Sequence, residues 1–118
     1  MKKLRVLVIE DEGIIAMLIE DMLTELGHSV AAVASRMRDA IELAQNGMFD
    51  WAIVDVNIDG QPSYPVADIL KERGVPFAFA TGYGAKGLDT KHGDAPLLAK
   101  PFVMADLEKL LSAATRQP

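Results

Sequence analysis

The sequence predicts an α/β domain with a doubly wound, five-stranded parallel sheet, and three observations carry the prediction. Short aliphatic runs alternate with segments whose apolar residues recur at helical spacing. The runs are nearly unbroken, as strands covered on both faces require. The 118 residues, half of them apolar and a quarter charged, suit one compact core without a second domain. Strands separated by helices imply right-handed crossovers and helices on both faces of the sheet.

The first strand is "LRVLVI", residues 4–9, which runs into Glu10, Asp11 and Glu12. From Ile14 the period changes. Ile14, Ile15, Leu18, Ile19, Met22, Leu23 and Leu26 follow three-and-four spacing, with Glu20, Asp21 and Glu25 between them. That pattern is an amphipathic helix, and Gly27 can end it in the left-handed conformation. Met17, Met22 and the helix leucines are expected in the core. "HSVAAVA", 28–34, is the second strand. Ser35 then stands as the cap of a helix carrying Met37, Ala40, Ile41 and Ala44 and closed by Asn46-Gly47.

"WAIVDV", 51–56, is a third buried strand with Asp55 at its downstream end, and a polar loop follows it. Ser63 and Pro65 mark the next helix start, Val66, Ile69 and Leu70 its buried side and Gly74 its end. "VPFAFAT", 75–81, and "APLLAK", 95–100, are the fourth and fifth strands, and Leu107, Leu110, Leu111 and Ala114 mark a final helix. The connection "GYGAKGLDTKHGD", 82–94, is too rich in glycine for a robust helix, so a short or mobile one is expected there.

Composition removes several classes of function. A net charge of −5 argues against a nucleic-acid binder, which needs a basic face. The chain has no cysteine, so neither disulfides nor thiolate metal sites can form. The first apolar run is too short for a signal peptide and leads into acids instead of a cleavage site. No stretch approaches the roughly 20 apolar residues of a membrane span. A cytoplasmic location without membrane contact is expected.

In sheets of this kind ligands bind beyond the carboxyl ends of the strands. The polar residues at those ends are Glu10 and Asp11, Asp55, Thr81, and Lys100 followed by Pro101. Carboxylates gathered at one edge repel, so Asp11 and Asp55 together call for a divalent metal. Magnesium suits them, because it takes one or two carboxylates, water and a phosphate; the backbone carbonyl of Asn57 can add a ligand. Asp55 then reads as a carboxylate nucleophile toward phosphorus. Lys100 spreads the charge of the transferring group and Thr81 donates its hydroxyl to it.

At these residues the chain resembles the receiver domain of two-component response regulators, over essentially its whole length. The resemblance implies a flavodoxin-like strand order 2-1-3-4-5 and phosphorylation of Asp55 by a histidine kinase. It further implies magnesium bound by Asp11, with Glu10 assisting through water, and a cis peptide at Lys100-Pro101. "FATGYG", 79–84, is similar to the signature of the FAT GUY class of single-domain regulators associated with alphaproteobacterial stress signalling. The expected unit is a receiver over residues 1–118 with no output domain, a monomer that switches a downstream protein or a kinase by contact and modifies only itself.

Two features depart from ordinary receivers. Leu97 replaces the aromatic usually found three residues before the lysine, and Asp59 stands four residues after Asp55 where proline is frequent. Tyr83 is the available replacement for that aromatic, flanked by Gly82 and Gly84, which permit wide backbone motion. The expected switch is that Thr81 closes on the phosphoryl oxygens and moves Tyr83 through this hinge.

Among rival readings, Gly82, Gly84 and Gly87 satisfy a dinucleotide fingerprint, but residues 88–95 leave no room for its crossover helix. A haloacid dehalogenase-like phosphatase would need a second acid where Asn57 stands. A receiver module of a hybrid histidine kinase is a further alternative. His28 and His92 lack metal-ligand spacing and read as incidental. Glu72 and Arg73 read as a solvated helix face.

Overall fold

A computed structural model describes residues 3–82, 88–89, 91–93 and 95–115. In chain order its elements are β1 (Arg5–Ile9), α1 (Gly13–Glu25), β2 (Ser29–Ala34), α2 (Met37–Asn46), β3 (Trp51–Asp55), β4 (Asn57–Ile58), β5 (Gln61–Pro62), α3 (Tyr64–Arg73), β6 (Phe77–Thr81), β7 (Leu97–Ala99) and α4 (Met104–Thr115). Five strands pair in parallel in the order β2-β1-β3-β6-β7. Counting only these strands, that is the 2-1-3-4-5 order expected of a flavodoxin-like domain.

Alternate residues of each strand feed two cores, which is why the strand sequences show no polar alternation. Leu7, Ile9, Ala52, Val54, Phe77 and Phe79 pack with Ala40 and Ala44 of α2 and Val66, Ala67 and Leu70 of α3. Val6, Val8, Ile53, Ala78 and Ala80 pack on the opposite face with Ile19 and Leu23 of α1 and Leu107 and Leu111 of α4. The sheet is therefore wound on both sides. Trp51 is buried at the start of β3.

Two local expectations are corrected. On α1 the buried residues are Ala16, Ile19 and Leu23, while Ile14, Met17 and Leu18 are exposed; the sheet covers a narrower stripe than the apolar pattern spans. Ser35 does not cap α2. Arg36 occupies the cap position without a side-chain hydrogen bond, and the Met37 N–H instead donates to Asp59 Oδ2 at 2.9 Å.

The polar loop after β3 is a hairpin, β4 pairing antiparallel with β5. Its turn residues Asp59 and Gly60 have φ of 56° and 73°, the two left-handed residues that match the twist of a two-residue hairpin. The Ser63, Pro65 and Gly74 signals for α3 hold, Gly74 closing it at φ 75°. The expected fourth helix falls partly outside the described residues; those described there, 88–89 and 91–93, form no helix. Among the described residues no helix is long and apolar enough to cross a membrane.

Candidate functional site

The carboxyl edge of the sheet brings the strand-end residues together. Glu10 stays in register with β2 because its N–H donates to the Ala34 carbonyl at 3.0 Å. Asp55 closes β3 opposite Ala80 of β6. The Lys100 N–H donates to the Thr81 carbonyl at 3.0 Å, which carries the ladder past β7 and aims the lysine along the edge. The Lys100-Pro101 peptide is cis.

Carboxylate oxygens of Glu10, Asp11 and Asp55 all lie within 4.8 Å of one another. Lys100 Nζ stands 3.0 Å from Asp55 Oδ2 and 3.3 Å from Glu10 Oε1. Glu10 and Asp55 are buried and Asp11 is exposed, so the cluster opens to solvent on the Asp11 side. Asp55 Oδ1 also accepts the Asn57 N–H at 3.3 Å, and Glu10 Oε2 accepts the Glu12 N–H at 3.2 Å. Thr81 is buried at the end of β6.

Three carboxyl groups against one ammonium leave an excess of negative charge in a partly dry pocket. Burial, then the neighbouring Asp55, pushes the Glu10 carboxyl up to about 7, against the opposing pull of the Glu12 N–H and Lys100. Burial pulls the Lys100 ammonium down, but the hydrogen bond and charge of Asp55, with Glu10 behind it, outweigh that and hold it above the ordinary lysine range. Glu10 Oε1 is buried without a hydrogen bond among the described residues, its ionic neighbour being Lys100. An under-coordinated buried oxygen beside two other carboxylates fits a hard, oxygen-seeking divalent cation.

Gly82 is exposed, and a Cβ there would meet no atom of the described residues within 4 Å. Its φ is not positive. Tyr83, Gly84 and Gly87 lie outside the described residues, and with them the aromatic of the expected switch and most of the dinucleotide fingerprint.

Sequence reasoning missed the contacts of four residues, three toward this edge and one, Arg73, away from it. Ser63 holds the cap position of α3, as expected, but its fully buried hydroxyl makes no cap hydrogen bond and donates to the Asp55 backbone carbonyl. Asp59 reaches α2, as described above, and its N–H points at Asp11 Oδ2 at 3.4 Å. His92 is far from incidental: it is buried, stacks on Tyr64 with centroids 4.2 Å apart, and sets its ring nitrogens 2.6 Å from Asp89 and 2.8 Å from Asp68. Arg73, read as solvated, donates to the Ala44 and Gly47 carbonyls and covers the Phe49 ring. Asp59-Gly60 was the legible signal among these, since Asp-Gly marks a hairpin turn.

This fold and edge agree with a family comparison: the profile described as response regulator receiver domain matches residues 6–112. The chain belongs to the response regulator receiver family. The receiver is 35% identical to the phyllosphere-induced regulator PhyR of Methylorubrum extorquens over 113 residues, covering 92% of this chain and 42% of that protein. It thus spans less than half of that relative. The solution structure of SdrG from Sphingomonas melonis Fr1 superposes with a TM-score of 0.85 at 38% identity, covering 98% of this chain and 99% of that one. The BeF3-activated conformation of SdrG superposes with a TM-score of 0.79, covering 96% and 98%. Receiver membership leaves the haloacid dehalogenase-like reading without support.

Proposed function

We propose that the chain is a phosphorylation-controlled switch in which Asp55 accepts a phosphoryl group from the phosphohistidine of a histidine kinase, in a magnesium-dependent reaction. The supporting observation is the placement of Lys100 Nζ 3.0 Å from Asp55 Oδ2 beside the carboxylates of Glu10 and Asp11. A nucleophilic carboxylate thus sits next to a cation that can receive the charge of the transferring group.

Magnesium would be held by Asp11, Asp55 and the Asn57 carbonyl, with Glu10 behind them; bound there it neutralises charge on the phosphoryl oxygens. An Asp55 oxygen donates its electron pair to phosphorus, the phosphorus–nitrogen bond breaks, and that pair leaves on the kinase imidazole. Lys100 moves its ion pair from the free carboxylate toward the phosphoryl oxygens, and the Thr81 hydroxyl donates to one of them. Tyr83, with Gly82 and Gly84, is proposed to respond to that closure. The modified surface then passes the signal to a downstream protein or kinase by contact, and the chain does no multiple-turnover chemistry on other substrates. Location in the cytoplasm and a monomeric resting state belong to the same proposal.

The test is incubation with magnesium and acetyl phosphate, followed by intact-mass measurement. One phosphoryl group should appear on the wild type and none on Asp55→Asn. Equal incorporation by the Asn variant would move the acceptor elsewhere. Chelation of magnesium should abolish uptake.

A further inference from the structure

Asp59 makes contacts in two directions, and neither is local. Its φ of 56° is tolerated by aspartate, whose side chain usually repays that conformation by bonding nearby backbone. Here Oδ2 instead accepts the N–H of Met37, 22 positions earlier and the first residue of α2. That helix's cap residue makes no side-chain hydrogen bond, so the Asp59 carboxylate serves one of its orphan donors, the Met37 N–H, and the positive end of its dipole. The Asp59 N–H faces Asp11 Oδ2 at 3.4 Å. One residue thus joins the hairpin tip, the start of α2 and the acid after β1. The hairpin also carries Asn57, whose N–H holds Asp55 Oδ1. Asp59 itself is not among the acids that converge within 4.8 Å.

We propose that Asp59 is a positioning residue: its carboxylate hooks the β4–β5 hairpin onto α2 and thereby fixes Asp11, Asp55 and Asn57 at the separations a divalent ion needs. A two-stranded hairpin of this length has little stability of its own, so its tip needs an external anchor. The inference rests on the reading of this edge as a magnesium-dependent phosphoacceptor site. A helix cap alone would predict lost stability but no change in ion binding.

Magnesium affinity, measured by calorimetry on the unphosphorylated protein, separates these. Asp59→Gly keeps the left-handed turn and removes the hook; magnesium should bind roughly tenfold more weakly, the scale of losing a residue that orients metal ligands. Asp59→Asn keeps an acceptor oxygen and tolerance of positive φ, so its affinity should stay within about threefold of wild type. Met37→Pro removes the donor from the other end of the hook at a helix position where proline is accepted, and it should weaken binding as Asp59→Gly does.

Asp59→Gly that melts lower but binds magnesium like wild type would make Asp59 a cap and overturn the inference. Equal losses in Asp59→Gly and Asp59→Asn would also overturn it, since lost charge and not the hook would then be the cause. If Asp59→Gly does not fold, unchanged binding by Met37→Pro overturns it in the same way. Wild-type protein that binds no magnesium would instead remove the reading of the site on which the inference rests.

Discussion

Replacing Glu10 by glutamine should change how stability depends on pH. Glu10 titrates at 4.5 in an unreconstrained chain and at about 7 in the fold. The folded protein therefore binds the proton more tightly between those values. The stabilisation this contributes is complete below pH 4.5 and is lost as pH rises through about 7. At about 1.4 kcal/mol per pH unit, the full difference sets a ceiling of about 3 kcal/mol, and solvent reaching the Asp11 side reduces it to about 1–2 kcal/mol. A domain of this size loses roughly 4 °C of melting temperature per kcal/mol.

In chelator, about six-tenths of that stabilisation is still present at pH 5.5 and almost none at pH 8, so wild-type protein should melt about 2–5 °C lower at pH 8 than at pH 5.5 from this group alone. Glu10→Gln cannot ionise and should lack that slope, so the variant gains on wild type as pH rises. His28 acts in the opposite sense, because burial lowers its pKa below 6.5 and stability from its neutral form is lost as pH falls. That effect is common to both proteins and cancels in the difference. Millimolar magnesium should restore wild type at pH 8 more than Glu10→Gln, since the ion takes the place of the proton. Thermal melts followed by circular dichroism across this range read the result. Parallel slopes for wild type and Glu10→Gln in chelator would refute the electrostatic account of the cluster.

Two further substitutions probe the supports of the edge. Ser63→Ala deletes the buried donor to the Asp55 carbonyl, so stability should fall by about 1–2 kcal/mol in urea unfolding, and a loss near zero would mean that this carbonyl finds another partner. His92→Ala removes a ring stacked on Tyr64 and contacted by two carboxylates, and should cost about 2–4 kcal/mol. His92 holds Asp68 below the ordinary aspartate range; at Asp89 burial pushes the carboxyl up, but the hydrogen bonds and charge of His92, with Lys91 behind them, together outweigh it and hold Asp89 there too. Stability tied to these depressed acids is present above pH 3.8 and lost as pH falls through their folded values, so the variant's deficit should shrink under acid. A deficit that grows there would contradict the pairing.

The fold was legible because burial on two faces leaves a local mark. β1, β3 and β6 must be apolar at consecutive positions, and the pattern says so without knowledge of any partner. The α1 error has the matching cause. Periodicity reports which residues are apolar, whereas burial depends on the width of the sheet lying against them; Ile14 and Met17 satisfy the first and escape the second. The missing cap on α2 shows the limit more sharply. Ser35 is a good local candidate, yet the acceptor comes from Asp59 after an intervening helix and strand, and no window of sequence spans that separation.

The site divides along the same line. The residues that carry charge stand at strand ends, so topology alone gathers Glu10, Asp11, Asp55 and Lys100. Holding those groups in place is a different problem, because Asp55 lies where β3 leaves the sheet and its neighbours are free to move with the loop. The structure secures that loop at both ends. At the base, the Ser63 N–H donates to the Val56 carbonyl at 2.7 Å and the Ser63 hydroxyl to the Asp55 carbonyl. At the tip, Asp59 is tied to α2 and turned toward Asp11. Ile58, fully buried between them, pins the strand. A site whose acids must sit close enough to share an ion and still repel one another needs such outside restraint, and the two polar restraints here are made by residues whose type, serine and aspartate in a polar loop, carries no local sign of the task.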